Sequence, residues 1–198
     1  MSDKSQVFLE CLGLELKGFY IPPFKLEKGF VVRLWVDNSI SDFHSFIKTF
    51  SCVLCRKTTD SKIILADSFY EVKKIKENYL QKTFFPKTVK EYLNKKGIEI
   101  NKEQLTVLQS FDIEINVKLK NLMFRQLRLL EIFTTFEQHN NVILKYFTLG
   151  PVEEKQLTNY IEKQILIGKT VVAFDMLSYI SDIYSHDNFI NIKIEKAV

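Results

Sequence analysis

Residues 29–50, GFVVRLWVDNSISDFHSFIKTF, hold the transition that decides the fold. Val31 to Val36 is an apolar run interrupted only by Arg33. That is the pattern of a central strand buried on both faces. Residues 37–42 are polar apart from Ile40. Across 41–50, Phe43, Phe46, Ile47 and Phe50 recur at helical spacing. They predict a helix with one apolar face, capped by Ser41 or Ser39. Buried strand, tight loop and helix together form a frame that holds phosphate in many nucleotide-binding proteins. Here the loop has no glycine and carries Asp37 and Asp42.

Glycine usage extends the point. The chain has six glycines, and none lies between Gly29 and Gly97. Wrapping backbone around phosphates needs positive φ and close approach, both of which favour glycine.

The flanking sequence alternates between strand and helix patterns. Residues 7–16 and 19–24 are β-rich, 26–29 is a turn and 62–66 a strand, and Leu80-Gln81 ends a short extended piece. Residues 88–96, 102–111 and 123–136 have helical periodicity. Residues 142–144 form a strand, and 153–167 a helix closed by Gly168. A strand at 170–174, a short helix at 176–183 and a last strand at 189–194 follow. Alternation of this kind predicts a largely parallel, covered α/β sheet with a helical insertion between its halves.

This order of elements resembles the ATPase domain of ABC transporters over nearly the whole chain. Leu26 to Leu34, LEKGFVVRL, resembles the entry into the Walker A strand, with Phe30 in place of the usual glutamate. In that register the glycines of the phosphate loop become Val36, Ser39 and Ser41. Its lysine becomes Asp42, and its magnesium-binding hydroxyl becomes Phe43. An aspartate at the lysine position repels phosphate. Gln81 falls on the Q-loop glutamine, and Thr88-Val89-Lys90-Glu91-Tyr92-Leu93 follow at suitable spacing. In the family this region contacts the membrane subunit. The signature motif falls on Leu122-Met123-Phe124-Arg125-Gln126, without its glycines. The Walker B Asp-Glu pair falls on Tyr146 and Phe147, the D-loop aspartate on Glu153 and the switch histidine on Met176. The strand 168–171, Gly-Lys-Thr-Val, is intact.

The resemblance implies a P-loop-NTPase-like (ABC ATPase-like) α/β fold. It has a mostly parallel sheet, an N-terminal β-rich part and a helical insertion at about 84–136, as one domain over 1–198. It also implies that every position handling phosphate, magnesium or attacking water is replaced. The expectation is therefore a non-catalytic protein without catalytic residues, metal or cofactor. It would act by protein–protein interaction as a pseudo-ATPase subunit or regulator of a transporter-type complex. The expected partner is an active ABC ATPase or a transporter membrane subunit, met through Gln81, Phe84, Phe85, Thr88 and Glu91. The alternative is an atypical nucleotide binder without hydrolysis, with adenine stacked near Phe19 or Tyr20.

Bulk properties bound the other classes. The 198 residues are 46% hydrophobic and 26% charged, which suits one sizeable globular domain. The net charge of +4 is mild. The chain reads as having no block of basic residues with interleaved aromatics, so nucleic acid is not an expected partner. MSDKSQVFLECLG does not read as a signal peptide, and no apolar run approaches the roughly 20 residues of a membrane span. The expectation is a cytoplasmic protein, peripheral at the inner face of the membrane and not inserted in it. Cys52 and Cys55 form a CxxC without a second pair, and read as two ordinary, partly buried thiols. Asp42 and His44 read as solvated residues at a helix start.

Overall fold

The computed structural model describes residues 7–36, 42–146, 149–176 and 188–197, with Gln81 described by its backbone only. The chain divides into two compact units. The first holds residues 1–71, 140–148 and 163–198, and the second holds 72–139 and 149–162. The expected helical insertion falls inside the second.

The first unit contains two sheets. Strands β1 (Val7–Cys11), β4 (Phe24–Glu27) and β6 (Ile63–Leu65) form an antiparallel sheet in the order β4-β1-β6. Strands β2 (Leu14–Leu16), β3 (Phe19–Ile21), β5 (Val31–Val36), β7 (Tyr70–Glu71), β8 (Asn141–Lys145), β9 (Thr170–Met176) and β10 (Phe189–Lys196) form the larger sheet. Its order is β2-β3-β10-β5-β9-β8-β7, parallel from β10 to β7. All six residues of β5 are buried, as the apolar run predicts.

Helix α1 (Phe43–Leu54) lays Phe43, Phe46, Ile47, Phe50 and Leu54 into one core with Val32, Leu34, Val36, Val172 and Phe174. The i, i+3, i+4, i+7 spacing puts these side chains on one face, and the phenylalanines lock it. Phe46 packs on Phe19 at 4.7 Å, and Phe50 meets Phe174 edge-on at 6.1 Å. The helix starts two residues later than the sequence suggests. Its N-cap is Asp42, whose carbonyl accepts from Phe46 at 2.8 Å but whose side chain makes no cap bond. Ser39 and Ser41 lie outside the described residues.

Gly29 shows why a glycine is needed at one turn. It has φ +80°, and a Cβ there would meet the Ile165 carbonyl at 3.3 Å. Met176, expected to open a helix, instead ends β9, where it pairs with Val36. The rest of that expected helix lies outside the described residues.

The second unit is helical. It contains α2 (Tyr79–Phe84), α3 (Val89–Lys95), α4 (Lys102–Ser110), a 3-10 turn (Leu119–Asn121) and α5 (Phe124–Gln138), and α6 (Pro151–Leu166) begins in it. Phe111, Phe133 and Phe136 surround Tyr160 at centroid distances of 5.5 to 6.1 Å. The expected extended piece at Leu80-Gln81 is corrected: both residues are helical. Short apolar runs of this length do not distinguish the two conformations. Among the described residues, no helix is long and apolar enough to cross a membrane.

Candidate functional site

In an open α/β sheet, ligands bind at the carboxyl ends of the parallel strands. Side chains alternate along β5, so Val32, Leu34 and Val36 face α1 while Arg33 and Trp35 face the other way. Arg33 is only 1% exposed. A buried guanidinium needs a partner, and Asp175 near the end of β9 supplies it. Arg33 Nε donates to Asp175 Oδ2 at 2.9 Å, and Nη2 donates to the same oxygen. Asp175 Oδ1 accepts the Met176 N–H at 2.8 Å. The guanidinium carbon lies 4.4 Å from the centroid of Trp35 and 4.4 Å from that of Tyr146. Trp35 in turn donates Nε1–H to Asn191 Oδ1 on β10 at 3.0 Å.

The strand ends therefore carry a buried ion pair in an aromatic cage. Burial pushes the Asp175 carboxyl up, while Arg33 and the Met176 N–H oppose that shift. Sequence reading notes Arg33 only as an interruption and does not single out Asp175. A lone charge in each of two otherwise apolar strands was the available signal, since each predicts a buried partner.

Tyr146, at the expected Walker B aspartate, is buried and covers Arg33. Phe147 lies outside the described residues. Val36 and Phe43 are buried in the α1 core, and Asp42 is exposed at the start of the helix. His44 is also exposed. Phe19 is fully buried against Phe46, which corrects the expectation that it could stack a base, and Tyr20 is exposed. Cys52 and Cys55 are partly buried, and burial pushes the Cys55 thiol up. Among the described residues, no three His, Cys, Asp or Glu are grouped to hold a metal ion.

The residues expected to meet a partner all lie in the second unit. Gln81 is on α2, well past the end of β7. Phe84 and Phe85 are 66% and 78% exposed. Thr88 and Glu91 bond each other's backbone: the Thr88 hydroxyl accepts from Glu91 N–H at 3.2 Å, and the Glu91 carboxylate from Thr88 N–H at 2.7 Å. This is a capping box that starts α3. At the expected signature position, Met123 and Phe124 are exposed at the start of α5, and Met123 N–H donates to Gln126 Oε1 at 2.9 Å. Arg125 pairs with Glu153 at 2.9 Å. Burial pushes the Glu153 carboxyl up, but its own N–H, Arg125 and the Gly150 N–H outweigh this and hold it below its ordinary value.

The same stretch carries a feature that the bulk charge conceals. Residues 73–90 contain six lysines and one acidic residue, Glu77, a net charge of +5 against +4 for the whole chain. Tyr79, Leu80, Phe84 and Phe85 are interleaved with them and exposed. The expectation that no basic block with interleaved aromatics exists is corrected here.

No family model matches the chain, and no curated protein matches it by sequence. Solved structures do match. The chain is similar to cbiO1 from Clostridium perfringens, part of the ABC transporter complex cbiONQ, with a TM-score of 0.63 and 14% identity. That match covers 96% of this chain and 87% of the other. It is also similar to a nucleotide-free ATP-binding cassette from an ABC transporter, with a TM-score of 0.60, 14% identity, and 96% and 90% of the two chains covered. The RNase-L Inhibitor matches 99% of this chain with 41% of its own, with a TM-score of 0.56 and 17% identity. At these identities the likeness shows the fold: α/β, P-loop-NTPase-like, with a mostly parallel sheet.

Proposed function

We propose that this chain is a non-catalytic ABC-ATPase-like protein that works by binding protein, as a pseudo-ATPase subunit or regulator of a transporter-type complex. The observation that carries the reading is the state of the strand ends. Magnesium and attacking water would need free carboxylates there. In the register of the resemblance Tyr146 falls where one would be, and Asp175 is engaged by Arg33. Asp42 adds negative charge at the N-terminus of α1, where phosphate would lie. The described residues at these strand ends do not fit a magnesium nucleotide.

A protein-binding role is supported by a different surface. Phe84 and Phe85 are large exposed anchors of the kind that dominate binding energy. Thr88 and Glu91 fix the start of α3 beside them, and Gln81 lies on the helix just before. The structural neighbour cbiO1 is part of an ABC transporter complex, which makes an active ATPase or a membrane subunit the natural partner class.

Equilibrium dialysis with Mg-ATP tests the first half. No binding is expected into the millimolar range. Micromolar binding, or turnover abolished by Asp42→Ala or Phe43→Ala, would overturn it. Affinity capture from native cells tests the second half. An ATPase or transporter subunit should be recovered by the wild-type chain and lost with Phe84→Ser/Phe85→Ser.

A further inference from the structure

We infer that residues 73–90 form a docking segment for an anionic lipid surface. The inference goes beyond the protein-binding reading and does not depend on it, although the two share Phe84 and Phe85.

Three observations carry it. The first is charge. Lys73, Lys74, Lys76, Lys82 and Lys90 are exposed and Lys87 is half-buried, and among the described residues no ion pair engages them. Each lysine near an anionic membrane adds an attraction that falls off within a Debye length.

The second is helix α2. It has six residues and buries no described side chain. A helix that short has little stability of its own in water. At 100° per residue, Tyr79, Leu80, Thr83 and Phe84 share one side, and Lys82 flanks it. Tyr79 and Leu80 are 78% and 62% exposed. A surface that accepts these side chains supplies the burial the helix lacks, as for interfacial helices in general.

The third is continuity. An antiparallel bridge joins Thr88 to Lys118, and Leu119 N–H donates to Lys87 O at 2.8 Å. The chain before 87 and the chain after 119 therefore leave the bridge at the same end. The second run repeats the pattern, with Lys118, Lys120, Met123 and Phe124 all exposed.

The composition favours lipid over other polyanions. There is no arginine between Arg56 and Arg125, whereas planar bidentate contacts to nucleic acid favour arginine. Leu80 has no π face for a base to stack on. Lysine is depleted in protein interfaces. Lysines around exposed Phe, Tyr and Leu suit fluid headgroups above an apolar layer.

The test is co-sedimentation of the full chain with vesicles. One set is pure phosphatidylcholine, and the other has one part phosphatidylglycerol to two parts phosphatidylcholine. Binding is expected to the anionic vesicles and not the neutral ones, with release as salt rises from about 0.1 M to about 0.5 M. Lys73→Gln/Lys74→Gln/Lys76→Gln should weaken it by at least about tenfold. Phe84→Ser/Phe85→Ser should weaken it at low salt as well, with thermal midpoints unchanged in both variants. Equal binding to neutral vesicles, no binding to either, or retention by a single-stranded RNA or polyglutamate but not by vesicles would overturn the proposal. Vesicle binding and affinity capture are separate readouts, so failure of one leaves the other standing.

Discussion

Arg33 and Asp175 are the residues on which the strand ends turn. Removing Arg33 leaves the Asp175 carboxylate buried without the guanidinium that opposes the effect of burial. Arg33→Met is expected to cost about 3–5 kcal/mol, while Arg33→Met/Asp175→Leu recovers most of it. Urea unfolding of the three proteins decides this, and a single-variant cost below about 1 kcal/mol would refute the role. Glu153 allows a pH prediction. Its carboxyl is held below its ordinary 4.5 in the folded chain. A depressed carboxylate stabilises above its unfolded pKa and loses that contribution as pH falls through the folded one. Arg125 is largely exposed, so the pair contributes less than about 1 kcal/mol. The stability gap between wild type and Glu153→Gln should be constant near neutral pH and close below about pH 4.5. By contrast, Phe84→Ser and Phe85→Ser should change stability by no more than about 0.5 kcal/mol, because neither side chain is buried.

Among the elements, β5 and α1 were legible in the sequence because each is defined by local periodicity. Phe46 and Phe50 are fully buried, so Phe46→Ala or Phe50→Ala is expected to cost about 3–5 kcal/mol, read as a lower denaturation midpoint at unchanged slope. Helix α3 shows one segment with two meanings. Thr88-Val89-Lys90-Glu91 resembles a family motif, and the same spacing is a capping box. Thr88→Ala should cost about 1 kcal/mol, measurable by thermal melting whether or not a partner binds there. Helix α2 was not legible. Its six residues are too few to set a period, and its apolar side chains are mostly exposed, so no buried face marks their direction.

At the level of the whole molecule, a ligand that binds the folded state must stabilise it. A nucleotide at a hundred times its Kd would add about 2.7 kcal/mol. Millimolar Mg-ATP is therefore expected to leave the melting temperature of this chain unchanged, and a reproducible rise of several degrees would refute the non-nucleotide reading. The sheet order also belongs to this scale. The last strand, β10, lies between β3 and β5 rather than at an edge. A right-handed parallel α/β sheet could be anticipated, but not which strand occupies its centre.

The sequence by itself determined the class of fold, the buried strand 31–36, the amphipathic helix after it and the absence of glycine between Gly29 and Gly97. All are local patterns, fixed by side-chain size, polarity and period within a few residues. The tertiary structure decided the rest. It joined Arg33 to Asp175 across 142 positions of chain, laid Tyr146 over that pair, buried Phe19 and left Tyr79, Leu80, Phe84 and Phe85 uncovered among lysines. Burial and pairing are properties of residues distant in sequence and adjacent in space. No local pattern distinguishes a phenylalanine that fills a core from one that waits for a surface.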